Sequence, residues 1–228
     1  MTDPAAAPSP EAELLLALQL GDSAYPTGGF AYSWGLETLI ADGLVTRHSL
    51  PAWAAAELEG RWHGFDRIAL AGGWRAEDTA GLEDWDAVID LHLWSERQRL
   101  HSQQAGAATL AAACRLDRPG ARTLRDSVAR GGMAGHFPVL TGALYRAAGL
   151  GLETTLLLAA QGFLRGLCSA AVRLGKAGAL EVQGILSRLA PDLLRLAAPP
   201  PPGARPCSFS PLSDIAQMRP HDGRLFVN

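Results

Sequence analysis

Residues 31–35 read Ala-Tyr-Ser-Trp-Gly, close to the Gly-x-Ser-x-Gly elbow that pushes a nucleophilic serine out between a strand and a helix. The segment before it, EAELLLALQL at 11–20, is leucine-rich and reads as a helix, so the strand that such an elbow requires is missing. A serine hydrolase acting through Ser33 stands as the alternative reading. The six histidines, His48, His63, His92, His101, His136 and His221, include no pair four residues apart and no His-Glu-x-x-His, so a helix-borne metal site is not expected. Lys176 is the one lysine and follows a glycine, but position 170 is Ala where a phosphate-binding loop needs Gly, which argues against nucleotide binding. Cys114, Cys168 and Cys207 are far apart, odd in number and without a Cys-x-x-Cys, and read as reduced thiols. Neither catalytic residue, metal site nor cofactor is expected.

A net charge of −3 gives no electrostatic grip on nucleic acid or on an anionic membrane. The opening MTDPAAAPSPEAE has no basic region and no apolar run ahead of its acids, unlike a secretory signal. The greasiest segment, 156–174, is interrupted by Gln161, Arg165, Ser169 and Arg173, too many polar groups for a comfortable membrane span. A cytoplasmic protein that binds neither nucleic acid nor membrane is expected.

Strand signals are nearly absent, while Ala and Leu fill every periodic segment, so the fold is expected to be all-α, a single globular helical bundle with a short, flexible C-terminal tail. The spacing predicts helices over 11–20, 30–41 after a Pro/Gly corner, 49–71 with Ser49 as cap, 84–115 with a bend at SERQRLHSQQ, 120–130, 137–148, 152–174 and 179–189. The chain then divides into a disordered segment 1–10, a helical domain 11–197, and a proline-rich linker and partner-binding tail 198–228. The polar groups Gln161, Arg165, Ser169 and Arg173 recur every four positions on an otherwise apolar helix, which places that helix at the bundle centre with a polar seam. In the helix predicted over 30–41, Tyr32, Leu36, Leu39 and Ile40 share one face, and Phe30, Trp34 and Glu37 the other. The second face has the composition of an interface anchor; a helix sandwiched within its own bundle would read the same way.

Three patches in chain order carry a resemblance. The first is Leu18 and Gln19, the corner Pro26, Gly28, Gly29 and Phe30, then Ser33, Gly35, Leu36 and Glu37; the second is Ser169 to Leu174 with Gly178 and Gln183. The third is Asp214, Ile215, Met218, His221 and Arg224 to Phe226, with weaker similarity over Glu96 to Gly106 and His136 to Gly149. Together they resemble the UreF family of urease accessory proteins. The sequence departs from that pattern at Ala179, where the family usually has Gln, in a shortened spacing between His221 and Arg224, and in the closing Val227-Asn228.

The resemblance implies an all-helical homodimer without catalysis of its own. Such proteins bind UreH, also called UreD, and together recruit the nickel-carrying GTPase UreG. The assembly engages apo-urease and delivers nickel in step with GTP hydrolysis. The first helix and the tail become ordered on the UreH-type partner. With the helix faces above, it assigns partner binding to Gln19, Pro26, Gly28, Gly29, Phe30, Ser33, Trp34, Glu37, Arg173, Gln183, Met218, His221, Arg224, Leu225 and Phe226. Nickel is cargo of the assembly, with no site expected in this chain.

Overall fold

The computed structural model describes residues 9–26, 33–207 and 210–219. Helices account for nearly all regular structure, and there is no strand among the described residues, as the composition predicts. In chain order they are α1 (Pro10–Leu20), α2 (Leu36–Ala41), α3 (Leu50–Glu57), a π-helical segment (Leu58–Asp66), α4 (Arg67–Arg75), α5 (Thr79–His92) and α6 (Glu96–Arg115). Then come α7 (Ala121–Ala129), α8 (Phe137–Ala147), α9 (Leu152–Arg173), α10 (Ala179–Leu196) and α11 (Pro211–Met218).

α9 is the axis predicted from its apolar circumference: it packs against α1, α2, α3, the π segment, α4, α8 and α10. By length and hydropathy it alone among the described residues could cross a bilayer. Here Leu156, Leu164 and Leu167 are instead fully buried in the bundle. Its polar seam lies outward, with Gln161 and Arg173 exposed and Arg165 donating from Nη1 to the Gly21 carbonyl at the end of α1. Two apolar clusters flank α4. Leu70 sits in one with Leu36, Leu58, Leu164 and Ile185, and Ala69 in the other with Ile89, Leu110, Val139 and Leu144.

The predicted helix from Ser49 continues unbroken to Arg75, but through a π-helical stretch in the middle. Ser49 stands at its N-cap, as expected, but its hydroxyl caps no N–H of α3 and pairs with Thr46 instead. The Ser49 N–H donates to Thr46 Oγ1 (3.3 Å) and the Thr46 N–H to Ser49 Oγ (2.9 Å), a reciprocal pairing ahead of the first turn. The break expected within SERQRLHSQQ falls just ahead of it, where Ser95 and Gln98 close a capping box on α6 and the polar run is itself helical. α10 runs past its predicted stop to Leu196, through Pro191. Pro191 and Ser187, four residues before it, both face solvent, so water can serve the carbonyl that a proline leaves without a donor.

The proline-rich linker lies along the long helix. Polyproline carbonyls have no internal donors, and two arginines of the helix supply them: Arg67 Nη1 donates to Ala198 O (2.6 Å) and Arg75 Nη2 to Pro200 O (2.8 Å). In the reverse direction the Cys207 N–H donates to Gly64 O (2.7 Å). A Cβ on Gly64 would fall 2.2 Å from the Cys207 carbonyl oxygen, so only glycine allows this approach. The linker thereby delivers α11 back onto the bundle, between α2 and α6.

Candidate functional site

α11 is turned inside out. Its buried residues are Ser213, Asp214, Ala216 and Gln217, while Leu212 and Ile215 are 61% and 49% exposed and Met218 is 38% exposed. A helix that hid its apolar face would gain hydrophobic stabilisation; this one is held instead by a buried polar seam on α3, the π segment and α6.

The seam begins with a relay: Trp53 Nε1 donates to Ser213 Oγ (3.1 Å), and Ser213 Oγ donates to Glu57 Oε1 (2.5 Å). Gln98 Nε2 donates to Asp214 Oδ1 (2.8 Å). Arg61 forms a two-pronged pair with Asp66, Nε to Oδ2 at 2.9 Å and Nη2 to Oδ1 at 3.1 Å, with its guanidinium 4.5 Å from the Phe65 ring centroid. Burial pushes the Glu57 carboxyl up to about 7; Asp214 adds to the rise, while the Ser213 hydrogen bond and Arg61 oppose it. Burial also raises Asp214, against the pull of Arg61 and Gln98. Burial disfavours charge on Arg61 too, but Asp66, Asp214 and Glu57 outweigh it and lift the guanidinium above its ordinary value. Three carboxylates thus share one guanidinium. π-helical stretches inside α-helices concentrate at functional sites, and this one positions Arg61 and Asp66 at the seam.

Those of the expected site residues that are described do not converge on one place. Ser33, Trp34, Glu37 and Met218 fall in the α2/α11 region, Gln19 lies on α1, and Arg173 and Gln183 lie on the hairpin of α9 and α10. Gln19 Oε1 accepts from Arg118 Nη2 (2.6 Å), and Pro26 and Gln183 are exposed. Gly28, Gly29, Phe30, His221, Arg224, Leu225 and Phe226 lie outside the described residues.

One expectation is corrected. The second helix starts at Leu36, not Phe30, because Trp34 and Gly35 have φ of +56° and +81°, incompatible with a right-handed helix. Trp34 therefore does not stand on an outer helix face. Its ring lies 5.9 Å from Phe163 and 5.7 Å from the Arg61 guanidinium. Gly35 also admits the tail, since a Cβ there would meet Ser213 O at 2.7 Å. Ser33 is fully buried, the opposite of a nucleophile raised on an elbow.

A mainly apolar cavity opens beside the seam between Trp34, Trp62, Leu158, Phe163 and Tyr145. Three charged residues in its wall are already engaged, Asp66 by Arg61, Arg165 by the Gly21 carbonyl and Asp22 by the Ala24 N–H. Among the described residues no group of three or more His, Cys, Asp or Glu is arranged to hold a metal. Of the thiols, Cys168 is buried and Cys207 exposed, and burial raises the Cys168 thiol to about 11. A thiol titration at pH 8 is expected to modify Cys207 promptly and Cys168 only after denaturant is added.

Sequence reasoning missed Glu57 and Arg61 altogether, and did not see that Gln98 and Asp214 meet. The available signal was the density of charge in EGRWHGFDR at 59–67, on a helix whose flanks are apolar.

These features define an all-helical protein whose distinguishing surfaces are apolar helix faces left open to solvent. The UreF family model matches residues 44–190. The chain is 28% identical over 214 residues to the urease accessory protein UreF of Trichodesmium erythraeum, covering 91% of this chain and 92% of that one. It is 32% identical to the protein of that name from Mesorhizobium japonicum, over 76% of each chain. To that from Cereibacter sphaeroides it is 34% identical, over 82% of this chain and 83% of the relative. The chain belongs to the UreF family.

Proposed function

We propose that this protein is a non-catalytic cytoplasmic scaffold for urease maturation. It docks a UreH/UreD partner and with it recruits the GTPase UreG, and so supports GTP-dependent nickel delivery into apo-urease, acting as a homodimer. Membership in a family of urease accessory proteins supports the assignment. The observation that carries it is the outward apolar row Leu212, Ile215 and Met218 on α11, which stays exposed among the described residues. The exposed Leu14, Leu15 and Leu18 of α1 make a second face of the same kind. Apolar anchors on elements held by few contacts are what protein partners bury.

Truncation after Ala204 is expected to abolish co-purification with UreH/UreD. Because truncation also uncovers Glu57, the double variant Leu212→Asp, Ile215→Asp separates binding from folding. Both side chains already face water, so the helical circular dichroism should stay unchanged while capture falls at least tenfold. Undiminished capture by either protein would remove the tail from the binding surface.

A further inference from the structure

We propose that α11 is a proton-held latch, docked on α2, α3 and α6 while the seam of Glu57, Asp66 and Asp214 keeps a proton, and loosened as that proton leaves. The basis is a count of charges. Among the described residues Arg61 is the one cation in the seam, and it is already committed to Asp66 in two-pronged geometry. Glu57 and Asp214 are 5% and 3% exposed and approach from opposite sides, Glu57 from α3 and Asp214 from the tail. Their direct partners are neutral, Ser213 for Glu57 and Gln98 for Asp214. With all three carboxylates ionised the seam carries two uncompensated negative charges away from water, and detaching α11 rehydrates both.

Of the other charges on the packed elements, Glu37 of α2 is half-buried, with Oε2 shielded from water. Arg97 of α6 donates to Gln217 O (3.5 Å), and Arg219, just past α11, pairs with Asp42 at the end of α2. His101 lies one turn beyond Gln98 on α6. His63 of the π segment turns away, to Leu196 O and Arg67.

The direction follows from linkage. Glu57 holds its proton to about pH 7 when docked and reverts toward the ordinary carboxylate value near 4.5 when α11 leaves. The docked state therefore binds more protons between those limits, and docking weakens as pH rises through them. Above about 7 no further loss is expected from this group. Since the outward face of α11 is the proposed partner-binding surface, the latch would set how readily the tail is surrendered to a partner. That consequence rests on the proposed function, while the latch itself is tested without any partner.

The experiment is hydrogen exchange on the full chain from pH 5.5 to 8.5, with rates divided by those of the unfolded chain at each pH. Protection of residues 211–218 is expected to fall about tenfold or more between pH 5.5 and 7.5, with that of α9 unchanged. In Glu57→Gln most of the fall should disappear, which separates the effect from titration of His101. Asp214→Asn, made on the tail side, should reduce the fall and decides the matter if Glu57→Gln does not fold. Level protection in the unaltered chain, or a parallel fall in a folded Glu57→Gln or Asp214→Asn protein, would overturn the latch. Neither result bears on capture of UreH/UreD by α11 at a single pH, so the two readings fail separately.

Discussion

Arg61→Met is expected to lower the stability of the chain by about 3–5 kcal/mol, the range for removing one partner of a buried ion pair. Methionine roughly preserves the length and packing of the stem, so the loss is one of charge and hydrogen bonds rather than of volume. Asp66 would lose both donors, and Glu57 and Asp214 the charge that favours their ionised forms. The deficit should itself depend on pH. Without Arg61 the native carboxyls lie still higher above their unfolded values, so the variant holds its protons more tightly when folded and loses stability as pH rises. Urea titrations at pH 5 and pH 8 check this: the gap to the unaltered protein should be the larger at pH 8. Arg61→Lys should recover only part of it, since an ammonium cannot reproduce the two-pronged grip on Asp66. A gap that is equal at both pH values would mean that the seam carboxyls do not respond to Arg61.

What was legible in the sequence was what repeats. The apolar circumference of 152–173 marked the central helix because burial on many sides leaves few positions for polar residues. Composition alone removed the strands that a hydrolase elbow needs. The seam was illegible for the converse reason. Glu57, Gln98 and Ser213 belong to three elements far apart in the chain, and no local period records that they meet. A π-helical turn rotates the residues beyond it relative to an ideal helix, so a wheel drawn through 50–75 at 100° per residue misplaces Arg61 and Asp66. Trp34 was misplaced by a neighbour. An αL residue pair before α2 has no signature beyond Gly35 itself, and a helical pattern extended back through a glycine is a common way to overrun a boundary. Ile215, Met218 and Asp214 were picked out in the tail, but nothing in the sequence marked that Ser213 and Asp214, rather than the apolar residues, are turned into the bundle.

Gly142→Ala should be strongly damaging for a single added methyl, and it tests the packing that carries the site. α4 and α8 touch backbone to backbone: a Cβ at Gly142 would lie 2.1 Å from the Leu70 carbonyl oxygen and 2.8 Å from the Trp74 nitrogen, and one at Gly73 2.3 Å from the Val139 carbonyl oxygen. Neither neighbour is a flexible side-chain tip, so the helices must separate along their whole contact. The expected loss is about 3 kcal/mol, or roughly 10 °C in melting temperature for a chain of this size. Helix propensity acts the other way, favouring alanine over glycine by about 1 kcal/mol. Gly162→Ala on α9 isolates that opposing effect, since nothing lies within 4 Å of its added carbon, and should leave the protein equally or slightly more stable. The same methyl group, placed on two buried-bundle helices, is thus expected to act with opposite sign. Because α4 continues directly from the π segment, separation from α8 should also loosen Arg61 and Asp66. Gly142→Ala should therefore lower protection of α11 at pH 5.5, while Gly162→Ala leaves it intact. Equal melting temperatures for the two variants would show that α4 and α8 do not approach this closely.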